Sequence, residues 1–270
     1  MMEERRERVP GGEELPILVS PRMPAGFVHG FTTRTGGVSP PPFDSLNFGW
    51  RWGDAEEHVA ENHRRLLAVS GALAMFRTLQ VHGTRILRVR GADDPTALAT
   101  KEADGLSTDE PGLGLSVHVA DCTPLVMASG NKRACATLHA GWRGTVAGMA
   151  GAGVRHMIGE FGCDPAELHV ALGPCIGVCC FEVGPEVVTA FLDAMPAAEH
   201  NGVILAKPGR RPRIDLRRFQ RLQIEAEGVP RENIEASTDC THCDPSRRFF
   251  SYRRAGRATG QMVGFVTRVA

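Results

Sequence analysis

Alternating apolar and polar positions along the chain predict strands interleaved with helices. From residue 113 to 119, Leu and Val alternate with Gly, Ser and His118, which is the period of a strand with one buried face. His118 is then expected on the polar face, exposed or hydrogen-bonded. Shorter apolar runs, most of them predicted strands, occupy residues 17–19, 26–31, 79–89, 125–127, 135–138, 169–172 and 233–236, with a last strand near residue 269.

Longer segments have apolar residues at helical spacing. Asp54 followed by Glu57 is a capping-box-like start for a helix that runs to about Ser70. Asp215 is the predicted cap of a helix that ends near Glu227. Two further helices are predicted over residues 144–161 and 184–195.

The order of these elements indicates the domain organisation. Strands and helices follow each other without a regular βαβ alternation, and no internal repeat or linker separates them. We therefore predict one α+β domain over residues 15–270. Residues 1–14 are rich in charge and are expected to be a frayed lead-in.

Composition and charge exclude several classes of protein. The 270 residues include 31 basic and 31 acidic ones, whereas a dedicated nucleic-acid or anionic-membrane binder would carry a basic surplus. The longest run without Asp, Glu, Lys or Arg covers residues 168–181, which is shorter than the ~20 residues of a membrane span. The charged first residues lack the apolar core of a secretory signal. We expect a cytoplasmic protein whose eight cysteines are mostly reduced thiols.

Three short segments place potential metal ligands beside glycines or turns. They are Gln80-Val-His82-Gly83, Ala120-Asp-Cys122-Thr-Pro124 and His139-Ala-Gly-Trp-Arg-Gly144. Two imidazoles and one thiolate suit Zn²⁺ or copper, and three protein ligands leave one position open. The alternatives are that these residues are hydrogen-bonded polar groups at turns, or that Cys122 and His139 form a nucleophilic pair without a metal.

Two other patterns have chemical potential. Arg143 lies at a glycine-flanked helix start, which suits a phosphate, although a glycine turn with a surface arginine is the simpler interpretation. Cys240 and Cys243 have the spacing of a zinc half-site or a redox pair. A structural zinc shared with the cluster Cys175, Cys179 and Cys180 is one alternative. Our expectation is that the pair is reduced and that serine at both positions leaves the metal content unchanged.

Taken together, the three segments resemble the laccase-domain family, which is named for multicopper polyphenol oxidases and typified by bacterial YfiH-type proteins. The resemblance covers residues 29–264. It extends to flanking motifs, which are His29-Gly-Phe-Thr-Thr-Arg34, Ser45-Leu-Asn47, Asp104-Gly105, Gly173-Pro-Cys-Ile-Gly177, Cys180-Phe-Glu-Val183 and Phe250-Ser-Tyr-Arg-Arg254.

The resemblance implies a layered α/β sandwich with mixed sheets and a zinc site made by His82, Cys122 and His139. It also implies a purine nucleoside phosphorylase that accepts adenosine, inosine, guanosine and methylthioadenosine, with an accompanying adenosine deaminase activity. The partners are then purine nucleosides and phosphate, and we expect a monomer or a weak homodimer. We expect Arg143 to bind phosphate and Asn47 to bind substrate hydroxyls.

The chain differs from the family's usual sequence at one position. Its histidines also lack the pattern that a multicopper oxidase, the family's older name, would require. Family members often carry Arg after the Asn of the first helix, where this chain has His63 after Asn62, so Arg64 or Arg65 is expected to replace it. Copper is the alternative metal, with phenol oxidation as the reaction. A multicopper oxidase needs many histidines in H-x-H pairs, and the ten histidines of this chain form none.

Overall fold

The computed structural model describes residues 1–131, 133–198 and 202–269. Its strands, in chain order, are β1 (Glu3–Arg8), β2 (Glu14–Val19), β3 (Phe27–Thr32), β4 (Ala74–Phe76), β5 (Ile86–Arg88), β6 (Gly105–Thr108), β7 (Leu113–Val119), β8 (Thr123–Ser129), β9 (Ala134–Ala140), β10 (Leu168–Leu172), β11 (Ile204–Leu205), β12 (Arg213–Ile214), β13 (Ile234–Ala236) and β14 (Met262–Arg268). Its helices are α1 (Glu56–Val69), α2 (Pro95–Leu98), α3 (Trp142–Val146), α4 (Met149–Phe161), α5 (Pro185–Ala194), α6 (Leu216–Ala226) and α7 (Tyr252–Ala255). Within the described ranges, no helix has both the length and the apolar character needed to cross a membrane.

Two mixed six-stranded sheets form the body of the protein. The first has the strand order β1-β2-β3-β14-β7-β4, and the second has the order β13-β10-β8-β9-β6-β5. Most neighbouring strands are antiparallel, and the parallel pairs are β4 with β7, β5 with β6, and β10 with β13. This arrangement confirms the predicted α+β fold with mixed sheets.

The two sheets pack face to face, and helices cover their outer faces. In β14, Val266 points into the core between the sheets, whereas Phe265 packs with Leu66 of α1 on the outer face. In β8, Val126 faces the core between the sheets, whereas Met127 joins the apolar cluster formed with α4 and α6. Strands β8 and β14 are buried on both faces along most of their length, and their sequences are therefore largely apolar.

The alternation in strand β7 predicts one buried face, but the strand is buried on both faces. All of its residues are buried, and the ring of His118 lies 5.4 Å from the ring of His63 on α1. Burial lowers the pKa of His118 well below its usual value. Small polar residues on this strand therefore mark a covered face of the sheet and not a solvated one.

Residues 3–8 form strand β1, which differs from the expected frayed lead-in. The strand pairs in antiparallel register with β2, and all six residues are exposed. An edge strand gains its backbone hydrogen bonds from one neighbour and needs no apolar face for them. Its charges also pair across the strands, since Arg6 lies 3.6 Å from Glu14.

The helix predicted over residues 144–161 consists of α3 and α4. Gly148 separates them, and its φ of 89° is a left-handed conformation that interrupts the helix. The predicted cap of α6 is confirmed, because Asp215 accepts the Arg218 N–H. The predicted cap of α1 is wrong, since α1 starts after Ala55 and no side chain caps it.

The packing between the sheets generates a stability prediction. Phe31 is 1% exposed, and a Cβ added at Gly173 would lie 2.4 Å from its ring, so the ring fills the gap left by that glycine. Phe31→Ala should lower the free energy of unfolding by about 3–5 kcal/mol, because it leaves a cavity. Leu73→Ala, at a side chain that is 86% exposed, should change it by less than about 0.5 kcal/mol. Urea denaturation of both variants tests this difference, and equal effects would contradict it.

Candidate active site

The antiparallel pair β8 and β9 brings two of the predicted metal ligands together. Thr123, the first residue of β8, pairs with Ala140, the last residue of β9. Cys122 directly precedes β8 and His139 lies near the end of β9, so both side chains occur at the same end of the pair. Pairing of β8 with β9 thus closes the 17-residue gap in sequence.

His82 completes the set from a loop between β4 and β5. Its Nε2 lies 3.8 Å from Cys122 Sγ, and its ring centroid lies 4.8 Å from that of His139. One potential ligand atom from each of the three residues lies within 4.8 Å of the other two. The three residues predicted from the sequence therefore converge on one point.

Asp104, just before β6, positions both histidines. Its Oδ1 lies 2.7 Å from His139 Nδ1, which orients the ring and directs the other nitrogen toward Cys122 and His82. The carboxylate also accepts the backbone N–H groups of Val81, His82 and Gly83 at 2.7–3.1 Å. These contacts hold the loop at His82, whose φ of 63° is unusual for a residue with a side chain.

The glycine of the His-Ala-Gly segment makes room for the ligands. A Cβ added at Gly141 would lie 2.7 Å from His82 Cδ2 and 2.9 Å from Cys122 Sγ. Both distances are shorter than ordinary van der Waals contact. Gly141 is therefore required by the close approach of the two ligand side chains and not by a turn.

The electrostatics of the site favour a charged thiolate and imidazole pair. Burial of the Cys122 thiol would raise its pKa, but the neighbouring His139 and His82 outweigh burial and lower that pKa. Burial of His139 would lower its pKa, but Cys122 and Asp104 outweigh it and raise that pKa. A deprotonated thiol is the form that binds a metal or attacks a substrate.

A cavity of ≈ 630 Å³ opens in front of His82, Cys122 and His139. This volume lies in the range of sites for small molecules. Aromatic side chains form part of its wall, namely Trp50, Trp52, Trp142, Phe181 and Tyr252. Four arginines also line it, namely Arg51, Arg77, Arg253 and Arg257.

Asp121 joins the cavity wall to the C-terminal part of the chain. Its carboxylate accepts hydrogen bonds from the hydroxyl groups of Thr241 and Ser251 and from the backbone N–H of Arg253. Its negative charge is therefore bonded within the protein, and the other charged side chains that line the cavity are arginines. These contacts join the Ala-Asp-Cys segment to the Phe-Ser-Tyr-Arg-Arg segment.

Arg77, which was not predicted from the sequence, lines the part of the cavity near His63. Neither Arg64 nor Arg65 reaches it, because Arg64 pairs with Glu61 in solvent and the buried Arg65 binds Glu61 and Gly36. Arg77, which lies just after β4, lines the cavity and helps to lower the pKa of the half-buried His63 and of the buried His118, although burial is the larger cause for both. No signal in the sequence distinguishes Arg77 from the other arginines.

The residues predicted to contact substrate lie outside the cavity wall as described. Asn47 is 1% exposed, and its amide bonds to Asp54, Gly49 and Gln261 inside the protein. Arg64 is exposed on the opposite side of its helix from the buried residues. The Arg143 guanidinium stacks on the ring of Trp142, 4.4 Å from its centroid, and is exposed. Their assigned roles find no support in this placement.

Residues 28–269 match the sequence model of the family described as multi-copper polyphenol oxidoreductase laccase. The chain belongs to this family. The predicted resemblance to YfiH-type members of the family is confirmed.

Relatives in bacteria and mammals carry one functional name. The chain is 39% identical to purine nucleoside phosphorylase YlmD of Geobacillus stearothermophilus over 90% of this chain and 91% of the relative. It is 36% identical to purine nucleoside phosphorylase YfiH of Escherichia coli, covering 90% and 95% of the two chains. The mouse protein purine nucleoside phosphorylase LACC1 is 36% identical over 94% of this chain, which spans 58% of the length of that relative.

Solved structures share the fold over nearly the whole chain. The crystal structure of YlmD from Geobacillus stearothermophilus superposes with a TM-score of 0.88 at 34% identity, covering 99% of this chain and 100% of the other. The crystal structure of Bacillus licheniformis protein YfiH gives a TM-score of 0.86 at 32% identity, covering 94% and 96%. The layered fold with mixed sheets is therefore the fold of the family.

The space provided by Gly141 generates a prediction for the site. Gly141→Ala should displace His82 or Cys122 and weaken metal binding by roughly ten- to hundred-fold, the range seen when metal ligands lose their support. Gly159→Ala is the matched control, because a Cβ at Gly159 meets nothing within 4 Å. Competition with a chromogenic chelator measures both affinities. Equal affinity in the two variants would show that Gly141 does not set the spacing of the ligands.

Proposed function

We propose that the protein is a zinc-dependent purine nucleoside phosphorylase that acts in the cytoplasm. The observation that carries the proposal is the convergence of His82, Cys122 and His139 at a cavity lined by aromatic rings and arginines. These side chains suit a purine nucleoside and a phosphate ion, because the flat base can pack on the aromatic rings and the anion can bind the arginines. The names of the relatives support the same substrates.

The three side chains fit a zinc ion by their chemistry. Two imidazoles and a thiolate are ligands that zinc prefers, and three protein ligands are typical of catalytic zinc. The contact of His139 with Asp104 is the usual carboxylate support of a zinc-bound histidine. When bound, zinc would supply a Lewis acid at the cavity wall, which suits both phosphorolysis and the slower deamination of adenosine.

The aromatic residues are suited to the purine. Trp52 and Tyr252 lie with ring centroids 5.8 Å apart at the cavity wall, and a base can stack on either face. His118 adds a polar contact, because its buried Nε2 has no hydrogen-bond partner within the described protein. Its low pKa keeps the ring neutral near pH 7. We infer that this nitrogen bonds to the edge of the purine.

The arginines are suited to phosphate, and Arg77 is the leading candidate. It is half-buried, faces the cavity and forms no ion pair with a carboxylate among the described residues. Burial lowers its pKa, and the nearby Arg51 lowers it further. An anion bound between the two guanidinium groups would relieve this repulsion and accept bidentate hydrogen bonds.

Phosphorolysis in this site is a substitution at the sugar. The bond from C1′ to the purine nitrogen breaks, a bond from C1′ to a phosphate oxygen forms, and the purine nitrogen takes up the proton that the hydrogen phosphate ion gives up. Arg77 and Arg51 would hold the phosphate on one side of the sugar while the aromatic wall holds the base. We propose adenosine, inosine, guanosine and methylthioadenosine as substrates, since none of these residues distinguishes the purines by charge.

A cysteine hydrolase is the second candidate. Cys122, His139 and Asp104 form a series in which a carboxylate orients an imidazole and the imidazole lowers the pKa of a thiol. This order is that of a nucleophilic triad and needs no metal.

Copper-dependent phenol oxidation has weaker support. The described residues contain two groups of three or more potential metal ligands, and one of them consists only of cysteines. A multicopper centre needs several histidine-rich groups close together, which these residues do not supply.

Product analysis tests the proposed reaction. Adenosine with phosphate should yield adenine and ribose 1-phosphate, whereas adenosine without phosphate should yield inosine slowly. Cys122→Ser should lose both activities together with the zinc of this site, because the thiolate is a ligand. Cys135→Ala, at a buried cysteine in the core between the sheets, is the control and should keep both. Release of free ribose without phosphate from a metal-free protein would support the hydrolase instead.

The phosphate assignment is tested by comparing arginines. Arg77→Ala should raise the KM for phosphate by roughly ten- to hundred-fold, because a charge-assisted hydrogen bond is worth about 1.5–3 kcal/mol. Arg64→Ala should leave it unchanged, because Arg64 pairs with Glu61 on the surface. Arg143→Ala tests the residue that the sequence predicted to bind phosphate, and its KM for phosphate is compared with that of Arg77→Ala. A larger effect at Arg143 than at Arg77 would overturn the assignment to Arg77.

A further inference from the structure

A second group of metal-competent side chains lies behind the cavity wall. It consists of Cys179, Cys180, Cys240 and Cys243, whose Sγ atoms all lie within 4.8 Å of one another. The Sγ atoms of Cys179 and Cys243 are 3.5 Å apart. We propose that these four cysteines bind one structural Zn²⁺ ion, at a site separate from His82, Cys122 and His139.

The spacing of the sulfur atoms fits a tetrahedral ion. Zinc–sulfur bonds of about 2.3 Å place tetrahedral sulfurs about 3.8 Å apart. The 3.5 Å separation of Cys179 and Cys243 and the 4.8 Å limit for the whole group lie on either side of this value. Small side-chain rotations therefore suffice to close the site around an ion.

The backbone brings the two pairs of cysteines together. Cys175 and Cys240 form an isolated parallel β-bridge, and the Thr241 N–H donates to the Cys175 carbonyl at 3.0 Å. Gly177 permits the approach, because a Cβ there would lie 3.1 Å from Cys179 Sγ and 3.2 Å from Cys240 Cβ. The two cysteine segments are thus fixed by the fold, independently of any ion.

Backbone amides surround the sulfur of Cys240. The Gly177 N–H donates to its Sγ at 3.2 Å, and the N–H groups of His242 and Cys243 also hydrogen-bond to this sulfur. Hydrogen bonds from amides favour the thiolate over the thiol. The Cys-Thr-His-Cys turn is folded around its first sulfur in the way that a metal-binding thiolate requires.

The charge of the proposed site is balanced by its surroundings. Binding converts four thiols and Zn²⁺ into a complex with a net charge of about −2, and the four thiol protons pass to solvent. Arg213 interacts electrostatically with Cys179 and Cys180. Lys207, Arg210 and Arg211 line the shallow pocket next to Cys179. This cationic border favours a dianionic zinc complex.

The ion would join two segments that shape the active cavity. The Ile176 N–H donates to the Asp121 carbonyl and the Thr241 hydroxyl donates to the Asp121 carboxylate, so each cysteine segment contacts the residue before Cys122. Phe181, directly after Cys180, lines the cavity. The site would therefore act as a structural clip, and its occupancy does not depend on the proposed function.

Metal analysis of protein purified under reducing conditions without added metal tests the proposal. The double variant Cys240→Ser/Cys243→Ser should contain about one zinc ion per chain less than the unmodified protein. This outcome replaces the expectation from the sequence that the double substitution leaves the metal content unchanged. Cys175→Ala is the matched control, since this neighbouring cysteine lies outside the group and should keep the full content. Cys122→Ser should lose only the other ion, which separates this proposal from the proposed function.

Two further variants separate loss of a ligand from loss of the fold. Cys243→His should keep the zinc, because an imidazole can replace a thiolate, whereas Cys243→Ala should lose it. In the Cys122→Ser background, release of the remaining zinc by an organomercurial should consume four thiols per ion. Unchanged zinc in the double variant, iron in place of zinc, or a disulfide between Cys179 and Cys243 in peptide mapping would overturn the proposal.

Discussion

The hydrogen bonds of the Asp104 carboxylate are the interactions on which the candidate active site depends. A fully buried carboxylate is costly unless it is well bonded, and this one is bonded to three successive backbone N–H groups and to the ring of His139. One side chain thus fixes both the loop that carries His82 and the orientation of His139. Because the two histidines share this support, their spacing is set by the fold before any metal or substrate binds.

The sequence was sufficient to predict which three residues form the candidate metal site but not which residue positions them. His82, Cys122 and His139 stand out because imidazoles and a thiol adjoin glycines and turns. Asp104 has no such signal, since a carboxylate before a short buried strand is equally suited to a surface turn. The covered face of β7 was also not predictable. Alternating Ser and His indicate a solvated face, and the sequence of the strand does not show that helix α1 covers it. Strand β1 was missed for the opposite reason, because its charged side chains do not reveal its backbone pairing with β2.

The structure places the predicted substrate contacts outside the cavity wall for a related physical reason. A motif position shows that a residue has a role but not whether its side chain points inward or outward. The Asn47 amide bonds to Asp54, Gly49 and Gln261 inside the protein, and the exposed Arg143 guanidinium stacks on Trp142. The arginines that do face the cavity come from separate segments of the chain. Their proximity is a property of the tertiary fold, which no local pattern contains.

The position of β14 has a consequence for biosynthesis. This most C-terminal strand lies between β3 and β7, in the middle of the first sheet and not at its edge. The preceding segment carries Ser251 and Arg253, which bond to Asp121 across 130 and 132 residues of sequence. Such long-range contacts form late, because the intervening chain must first be ordered. A nascent chain on the ribosome therefore carries Cys122 and both histidines well before β14 and the residues that bond to Asp121 have been synthesised.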